Sequence, residues 1–465
     1  MADAAGGGTG RAMSDVVSRL ALDRFRSWSR IVVDFEPGVN VLYGRNGIGK
    51  TNLVEALEFL SVGSSPRAAA AKYLVQHGQT NAVIRANAAE TRDGCARGSA
   101  DPGADSVWAH TLQVTIPVRG TVRSRVDSGP SKYFRDIAGM VRVVAFGPQD
   151  QQLASGDPAG RRRFLDQSAT LMFPEYYAAL QRFRQIARQR AAVLRGLGEA
   201  GLGFAGGSTG ASSGSAGPAG MEPAGRRMAM AELEAWTSQF IDAGMAVTRM
   251  RAAVADRFNG LFARTYAGFA GGCRADARLE YRPSFAEALE SGPAEARQRI
   301  AQHFQRIYPG EVSRETNLIG PQRDEMLVVL DGEPAREFAS NGELWTIGLA
   351  MRLAQFQYLS GNVPRETTSM GALAGTAGAL VSDAPARPAG SARNDARPAE
   401  NNHPILVLDD VFAQLDESRR ERILDFAGRQ GQVFLTAAAK GDVPSGSGWH
   451  GIDVEKYAER QHGVL

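Results

Sequence analysis

The chain of 465 residues contains very little cysteine, with Cys95 and Cys273 as its two examples. They lie far apart in the sequence, and neither has a partner at the spacing of metal ligands. Two isolated cysteines exclude a disulfide framework and a cysteine-based zinc site. This usage is typical of proteins from a reducing compartment.

Long apolar segments are missing as well. The N-terminal sequence MADAAGGGTGRAMSD lacks the continuous apolar core of a signal peptide. No stretch approaches the roughly 20 apolar residues that a helix needs to span a bilayer. The formal net charge is only +3, so total charge says little about partners. These features predict a soluble, cytoplasmic protein with no membrane partner.

The strongest local signal that is present is a glycine-rich motif between a predicted strand (40–43) and a predicted helix (50–60). It fits G-x-x-x-x-G-K-[ST] in the context that a phosphate-binding loop, or P-loop, requires. Backbone N–H groups of such a loop surround phosphates, and the helix N-terminus adds the positive end of its dipole. Lys50 can reach the β- and γ-phosphates, and the Thr51 hydroxyl can bind Mg²⁺. The predicted nucleotide-binding residues are Gly44, Arg45, Asn46, Gly47, Ile48, Gly49, Lys50 and Thr51.

Lysine is also scarce, and its distribution bears on the choice of nucleotide. None of the five lysines lies in an Asn-Lys-x-Asp motif, with which a GTPase normally reads its base. The predicted cofactors are therefore ATP and Mg²⁺.

Two carboxylates far downstream complete the predicted nucleotide site. Residues 405–408 are all apolar and predict a strand buried on both faces, which Asp409 and Asp410 follow directly. The C-terminal ends of parallel strands meet at the edge where a P-loop opens. We expect Asp409, with Thr51, to bind Mg²⁺ and Asp410 to act on the attacking water, which makes Asp410 and Lys50 the predicted catalytic residues. Paired acids after a strand could instead cap the next helix.

A third motif, Ala339-Ser340-Asn341-Gly342-Glu343, precedes a predicted apolar helix and resembles the signature loop of ABC ATPases. Ser340, Gly342 and the helix N-terminus would form an anion site for a γ-phosphate. The same pattern also fits a plain helix N-cap with a capping glutamate. Its position upstream of the carboxylate strand favours the functional interpretation.

Composition and periodicity divide the chain. Two segments, 161–195 and 231–266, carry apolar residues at helical spacing. Three others are dominated by Gly, Ala, Ser and Pro and predict linkers: residues 87–106, 198–225 and 361–403. The expected order is a disordered tail (1–12), the first part of an ATPase head (13–160), a helical lobe (161–310) and the second part of the head (311–465). The predicted fold class is α/β, a P-loop ATPase head with a helical second lobe.

Arginines are concentrated in the first of these helical segments. Residues 161–195 contain eight arginines against Asp166 and Glu175. Such a run can be a solvated helix face or a surface that faces phosphates. Candidate DNA contacts are Arg182, Arg184, Arg188 and Arg190.

Five blocks follow one another in the order seen in RecF proteins, and together they cover most of the chain outside the tail and the linkers. They are VLYGRNGIGKTNLVEAL, FGPQDQQLASGDPAGRRRFLDQ, IGPQRDEM, SNGELWTIGLAMRLAQ and ILVLDDVFAQLDESRRERIL. The resemblance implies an ABC-type ATPase head, weak ATPase activity that serves as a switch, and an ATP-dependent homodimer. It also implies binding to single-stranded, gapped or junction DNA in recombinational repair, replication restart and SOS induction, where the protein helps RecO and RecR load RecA.

The resemblance also assigns residue roles. Ser340, Gly342 and Glu343 would act in trans on the partner's nucleotide, and Asp416 would be the D-loop aspartate. Gln149 and Gln322 stand where RecF-like sequences are expected to have Glu and His. The roles of Gln149, Asp150 and Arg323 are therefore open. Thr436 occupies the place of the switch histidine of ABC transporters, so γ-phosphate sensing must be weaker or different.

Two other functions are compatible with these motifs. One is the nucleotide-binding subunit of an ABC transporter, although almost 290 residues separate the P-loop from the signature, far more than a transporter head needs. The other is a structural DNA clamp in which ATP is only a conformational ligand. Asp410 favours a weak true ATPase.

Overall fold

The computed structural model describes residues 13–92, 106–199, 223–270, 276–361, 402–414, 417–442 and 449–462. Its strands are β1 (Met13–Phe25), β2 (Trp28–Asp34), β3 (Val39–Tyr43), β4 (Asn81–Arg92), β5 (Ser106–Pro117), β6 (Arg123–Val126), β7 (Lys132–Tyr133), β8 (Val143–Phe146), β9 (Ala277–Arg282), β10 (Glu325–Leu330), β11 (Glu333–Pro334), β12 (Asn402–His403), β13 (Ile405–Leu408), β14 (Val433–Ala437) and β15 (His450–Asp453). Its helices are α1 (Lys50–Val62), α2 (Gln152–Ser155), α3 (Pro158–Met172), α4 (Tyr176–Glu199), α5 (Pro223–Phe269), α6 (Glu287–Glu290), α7 (Pro293–Arg314), α8 (Ala335–Phe338), α9 (Asn341–Leu359), α10 (Glu417–Gly428) and α11 (Glu455–His462).

A parallel sheet in the order β15-β3-β14-β13-β8 forms the centre of the head. The side chains of β13 alternate between two cores. Ile405 and Val407 pack with α1 and the antiparallel sheet, whereas Leu406 and Leu408 pack with α9 and α10. Coverage of both faces explains why the strand is apolar at every position.

A second, mostly antiparallel sheet in the order β12-β1-β4-β5-β6-β7, with β2 paired to β1, covers the α1 side of the parallel sheet. One of its faces is buried, and residues 31–34 of β2 alternate accordingly, with Ile31 and Val33 buried and Val32 exposed. This alternation is the pattern of a half-buried strand.

The helical lobe packs α3, α4, α5 and α7 around one apolar core, and a small sheet in the order β11-β10-β9 joins it. The expected boundary at 310 falls inside α7, and β9 pairs with β10 across it. We therefore propose that the helical lobe continues to Ala339. Among the described residues, no helix combines the length and apolarity needed to cross a membrane.

The predicted linkers were wrong at their ends. Residues 87–92 belong to β4, because their backbone pairs with β1, and Ser106 begins β5. Helix α4 extends to Glu199 and α5 begins at Pro223, where a proline is compatible with the first helical turn. Residues 402–403 form β12, which pairs with β1. The predicted tail and the other linker residues lie outside the described residues, except for Gly361, which follows α9.

The predicted helices were located correctly but not divided correctly. The segment 161–195 forms two helices, α3 and α4, which are separated at residues 173–175. Pro174 lies in this gap, and proline disfavours a continuous helix because it lacks the backbone N–H and its ring crowds the preceding turn. The segment 231–266 lies within the 47 residues of α5, as its periodicity predicted.

Candidate functional site

The carboxyl ends of the parallel strands bring distant motifs to one edge of the sheet. Strand β3 leads into the glycine-rich loop, and β13 leads into Asp409 and Asp410. Strand β8 ends next to β13, where the Asp409 backbone N–H donates to the Phe146 carbonyl over 2.8 Å. Ligands of open parallel sheets bind outside this edge.

The glycine-rich loop has the backbone conformation that its glycines predict. Gly44, Gly47 and Gly49 have φ values of 146°, 82° and 109°, in a region that side-chain-bearing residues rarely adopt. Lys50 begins α1 and is 8% exposed. Its ammonium group donates to the carbonyls of Gly44 (2.5 Å) and Arg45 (3.0 Å), so the loop is closed around its own cation.

Carboxylates surround this cation. Burial lowers the pKa of Lys50, and Asp410, Asp409, Glu455 and Asp442 oppose that shift, in this order. Glu455 also fixes the loop directly, since it accepts the Arg45 backbone N–H over 2.7 Å. The buried lysine therefore lies among several carboxylates, of which Glu455 also pairs with the Arg45 side chain at 3.3 Å.

A threonine pair connects the P-loop helix to the carboxylate strand. The Thr51 hydroxyl donates to Asp409 over 3.2 Å, and the Thr436 hydroxyl donates to the same oxygen over 2.7 Å. Thr436 also accepts the Asp410 backbone N–H over 2.8 Å. Asp410 has a φ of 52° and is exposed beside the buried Asp409. Thr436, at the position of the switch histidine, therefore holds the Asp409 carboxylate and the Asp410 backbone in place.

The residues at this position fit Mg²⁺. The cation prefers oxygen ligands and is usually held by one or two carboxylates together with phosphates and waters. Thr51 and Asp409 offer a hydroxyl and a carboxylate that already touch each other. Burial raises the pKa of Asp409, opposed by the hydrogen bonds from Thr436 and Thr51, so a cation beside the carboxylate would stabilise its charged form.

The signature-like loop forms the start of α9. Ser340 is the N-cap, its hydroxyl accepts the Glu343 backbone N–H, and the Glu343 carboxylate accepts the Ser340 backbone N–H over 2.7 Å. Ser340, Asn341 and Gly342 are exposed. The capping interpretation is thus geometrically correct. The capping box occupies the Ser340 and Glu343 backbone N–H groups and leaves Asn341 and Gly342 as the exposed residues of the first turn.

Of the residues whose roles the sequence left open, only Asp150 has an evident structural role. Asp150 is buried, binds the Arg352 guanidinium at 2.8 Å and 3.0 Å, and accepts the Gly147 backbone N–H, so it anchors the loop after β8 to α9. Gln149 is half-buried in that loop, and Arg323 is exposed. Asp416 lies outside the described residues.

One candidate DNA contact was wrong. Arg190 is fully buried and binds Glu311, Asn317 and Thr237 inside the helical lobe. Its spacing could have revealed this, because residue 190 shares the apolar face of α4 with Ile186 and Leu194. The three other candidates are exposed, and one of them, Arg184, forms an ion pair with Asp166 over 3.2 Å.

Comparison with known proteins places this chain in a family. The model of the RecF/RecN/SMC N-terminal domain matches residues 16–362. A DNA replication and repair protein RecF from Bifidobacterium longum subsp. infantis is 44% identical over 450 residues, which cover 97% of this chain and 91% of that protein. The chain belongs to the RecF family. A RecF from Bifidobacterium adolescentis is also 44% identical, over 94% of this chain and 91% of that protein.

Solved RecF structures share the fold. The recombination mediator protein RecF, as RecF-ATP in the RecFOR pathway, matches with a TM-score of 0.70 and 19% identity. The RecF-ATPrS structure matches with a TM-score of 0.68 and 18% identity. Each match covers 96% of this chain and 98% of the other. The predicted fold, an α/β ABC-type ATPase head with a helical second lobe, is confirmed, as is the resemblance to RecF.

Proposed function

We propose that this RecF-family chain is an ATP-dependent, DNA-binding protein of recombinational repair. In this proposal it dimerises on ATP, binds single-stranded or gapped DNA, and helps RecO and RecR place RecA in replication restart and SOS induction. It acts in the cytoplasm as a weak ATPase switch. The observation that carries the proposal is the contact between the P-loop and the carboxylate strand, Thr51 to Asp409, across 358 positions of sequence.

The nucleotide part of the proposal rests on preformed geometry. Lys50 lies in the loop with its charge held by two carbonyls, which it can leave for phosphate oxygens. Thr51 and Asp409 would hold Mg²⁺, which supplies positive charge to the phosphates when bound. Asp410 lies beside this position, fixed by Thr436 through its backbone, and its exposed carboxylate can accept a proton from water.

The dimer part rests on the exposed signature loop. We infer that Ser340, Gly342 and Glu343 meet the nucleotide of a second copy, with Asp416 at the same interface. Asn341 and Gly342 are exposed in the first turn of α9, and first-turn N–H groups are the ones that bind anions at helix starts. Size-exclusion chromatography with ATP, with ADP and without nucleotide, repeated with gapped DNA, tests this assembly. A chain that stays monomeric in every condition would contradict it.

Replacing Asp410 with Asn should separate binding from hydrolysis. The side chain keeps its size but loses its basicity, so we expect ATP affinity to stay within about threefold while hydrolysis falls roughly 100-fold or more. ATP-bound dimers should then accumulate in size-exclusion chromatography. Asp425→Asn is the matched control, because Asp425 is exposed on α10 and forms its ion pair with Arg429, also at the surface. A variant that binds ATP and remains monomeric would contradict the role of Asp410.

Replacing Ser340 with Arg tests the trans arrangement. We expect the monomer to bind ATP like the wild type, whereas dimerisation and hydrolysis should be lost because the long side chain blocks the signature surface. Ser340→Ala removes the helix cap, at a cost of about 1 kcal/mol, and the proposed nucleotide contact without adding bulk, so it should keep ATP binding by the monomer and weaken dimerisation less than the Arg variant does. Loss of ATP binding in the Arg variant would show that the loop serves its own subunit.

A further inference from the structure

The turn between β1 and β2 lies against the start of α1. We call residues 24–28 the hairpin tip. Three of its residues bind the helix in succession: the Trp28 indole N–H donates to the Gly49 carbonyl (3.2 Å), Ser27 accepts from Asn52 (2.8 Å), and Arg26 binds Glu55. Residues 49, 52 and 55 are three apart, so they lie along one side of the helix start.

Trp28 also packs closely against Gly49, in addition to its hydrogen bond. Trp28 is 2% exposed. A Cβ atom added to Gly49 would lie 2.7 Å from the indole nitrogen and 2.8 Å from two ring carbons. The ring therefore occupies the space that the missing side chain leaves, directly against the backbone of the P-loop.

The rest of the hairpin tip is held firmly. Arg26 donates to both oxygens of the buried Glu55 at 2.7 Å and 2.9 Å, which is a bidentate pair. Its backbone N–H donates to the Leu74 carbonyl, and the Gln76 backbone N–H donates to the Arg24 carbonyl. Arg24 and Arg26 both have a φ of 54°, a conformation that costs free energy in residues other than glycine. Unfavourable backbone persists where surrounding contacts enforce it, and such places are often functional.

The hydrogen bond from Trp28 can affect nucleotide binding because it orients the peptide group between Gly49 and Lys50. The Gly49 carbonyl and the Lys50 N–H belong to one rigid, planar peptide group. That carbonyl already accepts the Asn52 and Leu53 N–H groups, as the first carbonyl of α1. A third donor from the side fixes the rotation of the plane, and with it the direction of the Lys50 N–H, one of the first-turn N–H groups that an α-helix does not satisfy internally.

We propose that the hairpin tip is a positioning element for the phosphate-binding loop, in which Trp28 and Ser27 hold Gly49 and Asn52 so that the loop is preorganised for the phosphates. The proposal deepens the proposed ATP-binding function and rests on it. It concerns both ATP and ADP, because the loop surrounds phosphates that the two nucleotides share.

Trp28→Phe is the first test, since it keeps an aromatic ring and removes the donor. Isothermal titration should show that the Kd values for ATP and ADP rise together by about 5- to 10-fold. A second readout is intrinsic fluorescence: nucleotide should change the tryptophan emission of the wild type, and most of that change should be absent from the Phe variant. The four other tryptophans provide the background signal in both proteins.

Ser27→Ala and Ser27→Thr form the second test. Because Ser27 is exposed, these substitutions should leave the fold intact even if Trp28→Phe does not. The Ala variant should weaken the binding of both nucleotides about threefold, and the Thr variant, which keeps the hydroxyl, should restore wild-type affinity. If the wild type binds ATP and both Trp28→Phe and Ser27→Ala bind equally well, even with lower melting temperatures, the tip is only structural. If the wild type itself binds no ATP, the proposed function fails first.

Discussion

Lys50→Ala should abolish measurable ATP binding. The wild-type loop contains one buried ammonium group, and Asp410, Asp409, Glu455 and Asp442 all act on it electrostatically. Without the lysine, these four carboxylates would oppose the phosphates with no ammonium group in the loop to balance them. Hydrogen bonds to charged groups contribute about 1.5–3 kcal/mol each, so a loop that cannot bond two phosphates in this way should have a Kd roughly 100-fold higher or more.

Isothermal titration with ATP and Mg²⁺ measures this effect, and thermal unfolding without nucleotide checks the fold. Lys456→Ala is the matched control, because Lys456 is 72% exposed and lies on α11 near the same edge of the sheet. It should bind ATP like the wild type. Wild-type affinity in Lys50→Ala would show that the P-loop has been assigned wrongly.

Local sequence patterns were sufficient for the parts of the site that lie within one strand–loop–helix unit. Residues 40–60 change from apolar strand to glycines to helix, and β3 and α1 follow that order. The all-apolar segment before Asp409 likewise predicted a doubly covered strand, which β13 is. In each case the information lies in consecutive residues, because backbone sterics and burial act over that range.

Contacts between distant segments could not be predicted in this way. The resemblance placed Thr436 at the position of the switch histidine but did not indicate that its hydroxyl meets Asp409, and nothing near Trp28 indicates that its indole meets Gly49. Both contacts depend on which strand lies next to which, and that order is a property of the whole sheet. Arg190 is different. Its helical spacing already placed it on the apolar face of α4, but charged residues are rarely buried, so the charge alone predicted an exposed position.

DNA binding should be strong in the ATP-bound state, weak with ADP, nearly independent of sequence and very sensitive to salt. A monomer of net charge +3 has no strong general field. Dimerisation on ATP would bring two copies of the α4 surface, with the exposed Arg182, Arg184 and Arg188, onto one DNA molecule. If about six to ten phosphates are neutralised, affinity should fall roughly 10³- to 10⁵-fold between about 50 and 200 mM salt.

Fluorescence anisotropy on single-stranded, duplex and gapped DNA, with ATP or ADP across that salt range, measures these effects. Arg182→Gln combined with Arg188→Gln should weaken binding to every sequence and reduce the salt slope by about one for each phosphate that the dimer no longer neutralises. Arg429→Gln is the control, since Arg429 is exposed on α10 and already pairs with Asp425. Equal affinity for DNA with ATP and with ADP would show that DNA binding does not depend on the ATP-bound state. A flat salt response would show instead that phosphates are not the main binding partners, because counterion release must accompany their neutralisation.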